Sequence, residues 1–198
     1  MLWDNSVVMM DLETKSLWSH ILGEAMSGPL LGTKLKVIPS LMTDWKTWRT
    51  IHPNTTLAFL DRTTREYTRS FYRDLSQFVI AMRNARESKV WAFDRLSKYP
   101  IVNDQFAREP LVIVFDQKSS TAFVLSRRVD DRVLTFKLSN EILIDNQTGS
   151  QWNAATGKAI QGQLKGKQLR PLVATVSFRQ AWMRFHPNTI VWQRSQEH

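Results

Sequence analysis

The amino-acid sequence predicts a mainly β protein of the α+β kind, built from antiparallel barrel- or sandwich-like modules with one short helix in each. Three observations carry this reading. Short apolar runs recur about every eight to twelve residues, separated by tight-turn residues, which is the rhythm of antiparallel sheets. Residues 11–55 recur at 145–189: a shift of 134 positions overlays them without a gap, with 15 identities in 45 positions, where average composition gives roughly three. The identities fall on Asp11, Thr14, Ser16, Trp18, Gly23, Ala25, Gly28, Leu30, Gly32, Leu35, Trp48, His52, Pro53, Asn54 and Thr55. These are mainly turn formers and large packing residues. They build a backbone and are not the usual inventory of an active site.

Taken in order, residues 6–11 and 16–21 read as strands paired across a hairpin loop. The matching loop at 145–150 places Gly149 where a positive φ is needed, and Lys15 holds that place in the first copy at some cost. Asp11 and Asp145 begin the two loops. They read as turn-capping residues, not as catalytic carboxylates. Residues 23–28 and 35–38 read as two further strands joined by a Gly-Pro turn. The equivalent turn of the second copy carries Lys165 and Lys167 and runs on to Arg170. This basic loop could meet phosphate or simply be solvated.

A short helix follows in each copy. Thr43 and Ser177 are the expected N-caps, and Ser177 with Gln180 has capping-box spacing. Trp45, Trp48 and His52 share one face of the first helix, and Phe178, Trp182 and Phe185 share one face of the second. Both helices must end at His-Pro. His52 and His186 are thereby set against the negative end of the helix dipole.

Residues 61–77 mix arginine with aromatic rings and read as a linker. Arg65, Arg69 and Arg73 align only if the segment is helical, and the same composition occurs in single-strand nucleic-acid binders. From 78 the strand pattern resumes. Residues 78–82 and 90–93 flank a polar turn, and residues 99–102 lead into Asn103 and Asp104. Residues 111–115 form a continuous apolar run, as a strand buried on both faces should. Residues 121–125 and 133–138 follow, with a hairpin loop at 128–132 in which Asp131 stands where Gly or Asn is expected. Asp130 and Asp131 point apart into water and do not make an acid–base pair. Residues 142–144 then enter the second copy.

Composition bounds the function. An apolar fraction of 42% and eight Trp describe a folded chain, and 198 residues can bury a real core. With no Cys, disulfides, thiolate nucleophiles and cysteine metal sites are excluded. The net charge of +9 is dispersed, and suits a soluble basic protein as well as one that meets an anionic surface. Residues 1–10 show no signal peptide, and no apolar run is long enough to span a bilayer. The compartment is not specified, and the cytoplasm is the default.

The order of Tyr99-Pro100-Ile101-Val102-Asn103-Asp104, Pro110-Leu111-Val112-Ile113-Val114-Phe115, Ser126-Arg127-Arg128-Val129-Asp130, Leu134-Thr135-Phe136 and the repeat segments around Trp152, Gly162 and Trp192 resembles the bacterial proteins grouped as domain of unknown function 3179. Residues 9–54 are similar to that family's closing segment. The resemblance implies two modules in tandem, the first usually bearing Cys-Pro-x-Cys-Gly after its valine-rich strand. Residues 116–122 hold that place here without a Cys. On this reading residues 1–60 are the trailing half of a first module, 61–77 a linker and 78–194 a complete second module. A gene fragment, a mis-set start codon and a truncated protein all fit it. Residues 1–60 would then be less ordered than 78–194 or dock on it, covered by a missing N-terminal half-module or another chain.

Three functional readings follow. The first is a non-catalytic binding or structural module. The second is the C-terminal part of a redox or metal-linked protein whose cysteine site lies upstream. The third is weak nucleic-acid binding. No catalytic residue, metal site or cofactor is expected in this chain. The candidate binding residues are Trp18, His52, Trp152, His186, Arg65, Arg69, Arg73, Lys165 and Lys167.

Overall fold

The computed structural model describes residues 2–3, 6–58, 74–139 and 142–194. The first copy of the repeat opens with β1 (Leu2–Trp3), β2 (Ser6–Met10), β3 (Leu17–Ser19) and β4 (Glu24–Ser27), an antiparallel sheet in chain order, followed by α1 (Trp45–Ile51). The second copy repeats this with β12 (Phe136–Ser139), β13 (Ile142–Asp145), β14 (Gln151–Asn153) and β15 (Lys158–Gln161), also in chain order. Even the irregularities recur: the register slips between Leu17 and Trp18, and again between Gln151 and Trp152.

Between the copies run β5 (Phe78–Arg83), β6 (Ser88–Ala92), α2 (Phe93–Lys98), β7 (Ile101–Phe106), β8 (Glu109–Asp116) and β9 (Thr121–Ser126), then the small hairpin of β10 (Arg128–Val129) and β11 (Arg132–Val133). Strands β7, β8 and β9 form one antiparallel sheet. After β15 the chain returns as β16 (Thr175–Phe178), α3 (Arg179–Phe185) and β17 (Ile190–Val191). β16 pairs antiparallel with β5, and β17 pairs parallel with β6. The sheet order is therefore β16-β5-β6-β17.

Side-chain alternation along these strands produces three cores. Phe78, Ile80 and Trp91 face one way and pack with Phe93, Leu96, Leu111, Ile113 and Phe115. Val79, Ala81, Val90 and Ala92 face the other way, against Ala181 and Trp182 of α3. The reverse face of β8 and β9 supplies Val112, Val114, Phe123 and Leu125 to a third core with Leu143, Trp152 and Leu169. β8 is thus buried on both faces, which is why its sequence is an unbroken apolar run. The structure is mainly β, as expected, with several separate sheets that are largely antiparallel; among the described residues none closes into a barrel. No helix of the described residues is long and apolar enough to cross a membrane.

Several local expectations change. Residues 35–38 do not form a strand; only Lys34 bridges β4, at Glu24. The α1 N-cap is Asp44, one residue later than Thr43, and its carboxylate accepts from Thr47 N at 2.7 Å. Phe178 stands at the equivalent place before α3 and cannot cap; Ser177 Oγ turns to the Phe178 carbonyl instead, so no capping box forms. At the β10–β11 turn it is Asp130 that takes the positive φ of 50°, not Asp131. The second module also holds a helix that periodicity did not suggest, α2, which ends at Tyr99 before Pro100.

Residues 6–58 dock on the rest of the chain. Ile21, in the β3–β4 turn, joins the core of Ala181 and Trp182, and Arg83 donates to the Leu22 carbonyl. Thr121 Oγ1 lies 2.8 Å from Thr43 Oγ1. Leu41 and Ile51 pack on the core of Val114 and Trp152. Yet the first copy stays far more open than the second. Leu35 is 48% exposed where its counterpart Leu169 is 0% exposed, and Met9 is 44% exposed where Leu143 is 1% exposed. The second copy has the β7–β8–β9 sheet over that face. No equivalent sheet covers the first among the described residues.

Candidate functional site

The repeated identities assemble the same hydrogen-bond lattice twice. In the first copy, Asp11 Oδ1 accepts from Thr14 N at 2.6 Å, Thr14 Oγ1 lies 2.6 Å from Ser16 Oγ, and Trp18 Nε1 donates to Asp11 Oδ2 at 2.9 Å. In the second, Asp145 Oδ1 accepts from Thr148 N at 2.6 Å, Thr148 Oγ1 lies 2.7 Å from Ser150 Oγ, and Trp152 Nε1 donates to Asp145 Oδ2 at 3.0 Å. Ser16 and Ser150 then each accept a backbone N–H from the next turn, that of Leu30 at 3.1 Å and of Leu164 at 3.0 Å. Lys15 and Gly149 both adopt the expected positive φ, 59° and 69°.

These bonds consume the chemistry of the aspartates. The Trp18 indole N–H, followed by the Thr14 amide, holds the Asp11 carboxyl down to about 2. A carboxylate acidified in this way stabilises the fold fully above the unfolded value of 3.8 and loses that contribution as pH falls toward 2. The Trp18 indole N–H resonance should accordingly titrate with a midpoint near 2, and a midpoint near 3.8 would show that the bond is absent in solution. A group ionised this firmly makes a poor general acid or base near neutrality.

The same device occurs a third time, where pattern reading passed over it. In the β8–β9 turn, Asp116 accepts from Lys118 N at 2.9 Å and from Ser119 Oγ at 2.6 Å, and Ser119 Oγ lies 2.6 Å from Thr121 Oγ1. Ser120 takes the positive φ of 53°. The signal was present as Asp-x-x-Ser/Thr-x-Ser/Thr at 11, 116 and 145.

The candidate binding residues are not gathered at one place. Trp18 and Trp152 are buried, with their indole N–H groups spent on the aspartates. His52 is exposed and stacks on Trp48, with ring centroids 4.1 Å apart; His186 is half-buried on Trp182, at 4.5 Å. Burial, and then the nearby Arg83 charge, push the His186 imidazole below its usual value, so the expected cation at the helix end is opposed. Lys165 is exposed, Lys167 pairs with Asp130 at 2.8 Å, and Arg170 pairs with Glu109 at 2.9 Å. Arg65, Arg69 and Arg73 lie outside the described residues.

The structure draws together a different set. A cleft of about 560 Å³ lies between the copies. Asp44 lines it from the N-cap of α1, Lys46, Thr47, Thr50 and Ile51 from α1 itself, Asp116 and Lys118 from the β8–β9 turn, and Asn153, Ala155 and Thr156 from the β14–β15 turn. None of the six candidates among the described residues lines it. Among the described residues no group of three His, Asp or Glu is placed to hold a metal ion.

The family model described as "Protein of unknown function (DUF3179)" matches residues 1–77 and, again, residues 74–189. Neither the curated proteins nor the solved structures gave a match. Two adjacent matches and a lattice built twice from the same residues agree: the chain belongs to the DUF3179 family, two of whose modules it carries side by side.

Proposed function

We propose that the chain is a non-catalytic binding module whose ligand site is the cleft between the copies, and that residues 1–60 are a partial module covered by another polypeptide segment. The carrying observation is the cleft. Its volume of about 560 Å³ falls among small-ligand sites. Three separate elements line it with lysine, aspartate, threonine and asparagine side chains beside Ile51 and Ala155, a lining suited to a small ligand with both an apolar part and polar groups. Its β8–β9 turn also stands where first modules of the family resemblance carry cysteines, so one loop position would serve different ends in the two modules. The nucleic-acid reading is weakened by the ion pairs of Lys167 and Arg170, which return the basic loop's charge to Asp130 and Glu109.

Thermal unfolding against a panel of sugars, amino acids, nucleotides and dicarboxylates tests this. A ligand at a hundred times its Kd stabilises by about 2.7 kcal/mol, a shift of several degrees for a chain of this size. The variant Thr47→Trp, which fills the cleft from α1, should abolish the shift. Binding that survives it would place the ligand elsewhere.

A further inference from the structure

The β7–β8 hairpin turns on a strained pair. Phe106 pairs with Glu109, and between them Ala107 and Arg108 take φ of 49° and 66°. A two-residue hairpin turn with both φ positive favours Asn-Gly, and a non-glycine residue held left-handed is strained. Strain of this kind gathers at ligand clamps. Arg108 is exposed, and its guanidinium has no partner among the described residues. Beside the turn lies a second pocket, of about 470 Å³, within the range of small-ligand sites. Lys89 lines it: its Nζ donates to Asp104 Oδ1 at 2.8 Å and to the Gln105 carbonyl at 3.3 Å, and sits 5.4 Å from the centre of the Trp91 ring. Asp104 Oδ2 accepts from Trp91 Nε1 at 2.8 Å. Trp91 is fully buried, so the ion pair is anchored to the core and Lys89 is a fixed charge. Phe106, Ala107 and Ile190 give the pocket its apolar surface. The charges there do not cancel. Three cations, Lys89, Arg108 and Arg127, which donates to the Asp104 carbonyl at 3.3 Å, stand against two carboxylates, Glu87 and Asp104.

We propose that this pocket binds a small monocarboxylate with an apolar tail: Arg108 grips the carboxylate, Lys89 adds a fixed positive charge, and the tail lies on Phe106, Ala107 and Ile190. One excess positive charge matches one negative charge. A doubly charged phosphate brings twice the charge toward Glu87 and Asp104 and leaves the apolar residues unused. The planar fork of arginine takes a carboxylate bidentately. The strain of the turn sets a cation at the pocket, where Asn-Gly would set none. The site shares no lining residue with the cleft between the copies and does not depend on the reading of that cleft.

The probes are acetate, butanoate and hexanoate, titrated into the isotope-labelled full chain and followed by its amide and indole N–H resonances. Saturable shifts are expected at Gln105, Arg108 and the Trp91 indole, with affinity rising about fourfold for each CH2 that leaves water. Inorganic phosphate should bind more weakly than hexanoate. In Arg108→Gly, hexanoate affinity should fall about ten- to a hundredfold, the loss of charged hydrogen bonds. The denaturant midpoint of the same variant should rise, because glycine takes a positive φ without strain. Weaker binding joined to greater stability is what separates a binding residue from a structural one. The assignment is overturned if none of the three acids gives saturable shifts, if phosphate binds as well as hexanoate, or if Arg108→Gly binds hexanoate unchanged. Shifts that map instead to the cleft between the copies also overturn it.

Discussion

Replacing Asp145 by alanine is expected to cost the second module roughly 3–5 kcal/mol, since each buried donor left unpaired costs about 1–3 kcal/mol. Asp145 is 0% exposed. Its carboxylate accepts from Thr148 N, from the Ser150 N–H at 3.1 Å and from Trp152 Nε1 at 3.0 Å. The Ser150 and Trp152 donors are buried with no water to turn to, and that of Thr148 is partly buried. A loss of this size is a large part of the roughly 5–15 kcal/mol that holds a typical domain together. Asp145→Asn keeps one acceptor oxygen and should cost less. Asp11→Ala should also cost less, because the Asp11 side chain is half-exposed and water can replace it. Denaturant unfolding followed by tryptophan fluorescence gives the ranking through the midpoint at constant slope. Equal losses at 11 and 145 would show that burial does not set the cost.

Gly162→Ala is expected to cost about 3 kcal/mol or more, from left-handed strain of about 1–2 kcal/mol and overpacking of about 1–3 kcal/mol. Gly162 sits at φ 92°, and a Cβ built on it would lie 2.7 Å from Ser150 Cα and 2.7 Å from Ser150 Oγ. The obstacle is backbone, which cannot swing aside, and moving Ser150 also breaks its bond from Leu164 N. Gly166 has nearly the same φ, 88°, with nothing within 4 Å. Gly166→Ala therefore carries the strain alone, and the difference between the two variants measures the clash. Gly28 repeats the close approach, 2.7 Å from Ser16 Cα, and should behave as Gly162 does. If Gly162→Ala and Gly166→Ala cost the same, close packing is not what requires glycine here.

Much of the fold was readable because its signals are local. The Asp-x-x-Thr-x-Ser-x-Trp spacing fixes a hairpin whose bonds run over seven residues at most, and both copies folded as read. The apolar run of β8 announced burial on two faces. What failed depended on partners distant in sequence. Residues 35–38 carry the apolar pattern of a strand, yet neither they nor their counterparts 169–172 form one, even though Leu169 is buried: only isolated bridges, at Lys34 in one copy and at Gln168 and Pro171 in the other, tie the segments to their neighbours. Thr43 lost the N-cap to Asp44 because the helix starts one residue later, a shift no spacing rule resolves. The candidate site was the least legible part. Aromatic and histidine identities suggested binding, yet Trp18 and Trp152 turned inward to the aspartates. The cleft is lined from three elements some 35 to 70 positions apart, and of its residues only Asp116 belongs to a recurring spacing, one that builds a turn and does not announce a site.

The docking of the two copies is reciprocal. Ile21, in the β3–β4 turn, packs with Ala181 of α3. Their counterparts 134 positions away, Ala155 in the β14–β15 turn and Thr47 of α1, face each other across the cleft. This is the isologous contact of a symmetric dimer, enclosed in one polypeptide. Covalent linkage gives the two halves an effective concentration of millimolar order, so their association does not depend on dilution. It also releases a constraint that binds identical subunits, which must carry the same residues at both symmetry-related contacts. Here one contact holds isoleucine against alanine and is closed; the other holds alanine against threonine and stands open. The cleft is the second contact of a pair, freed from the need to match the first.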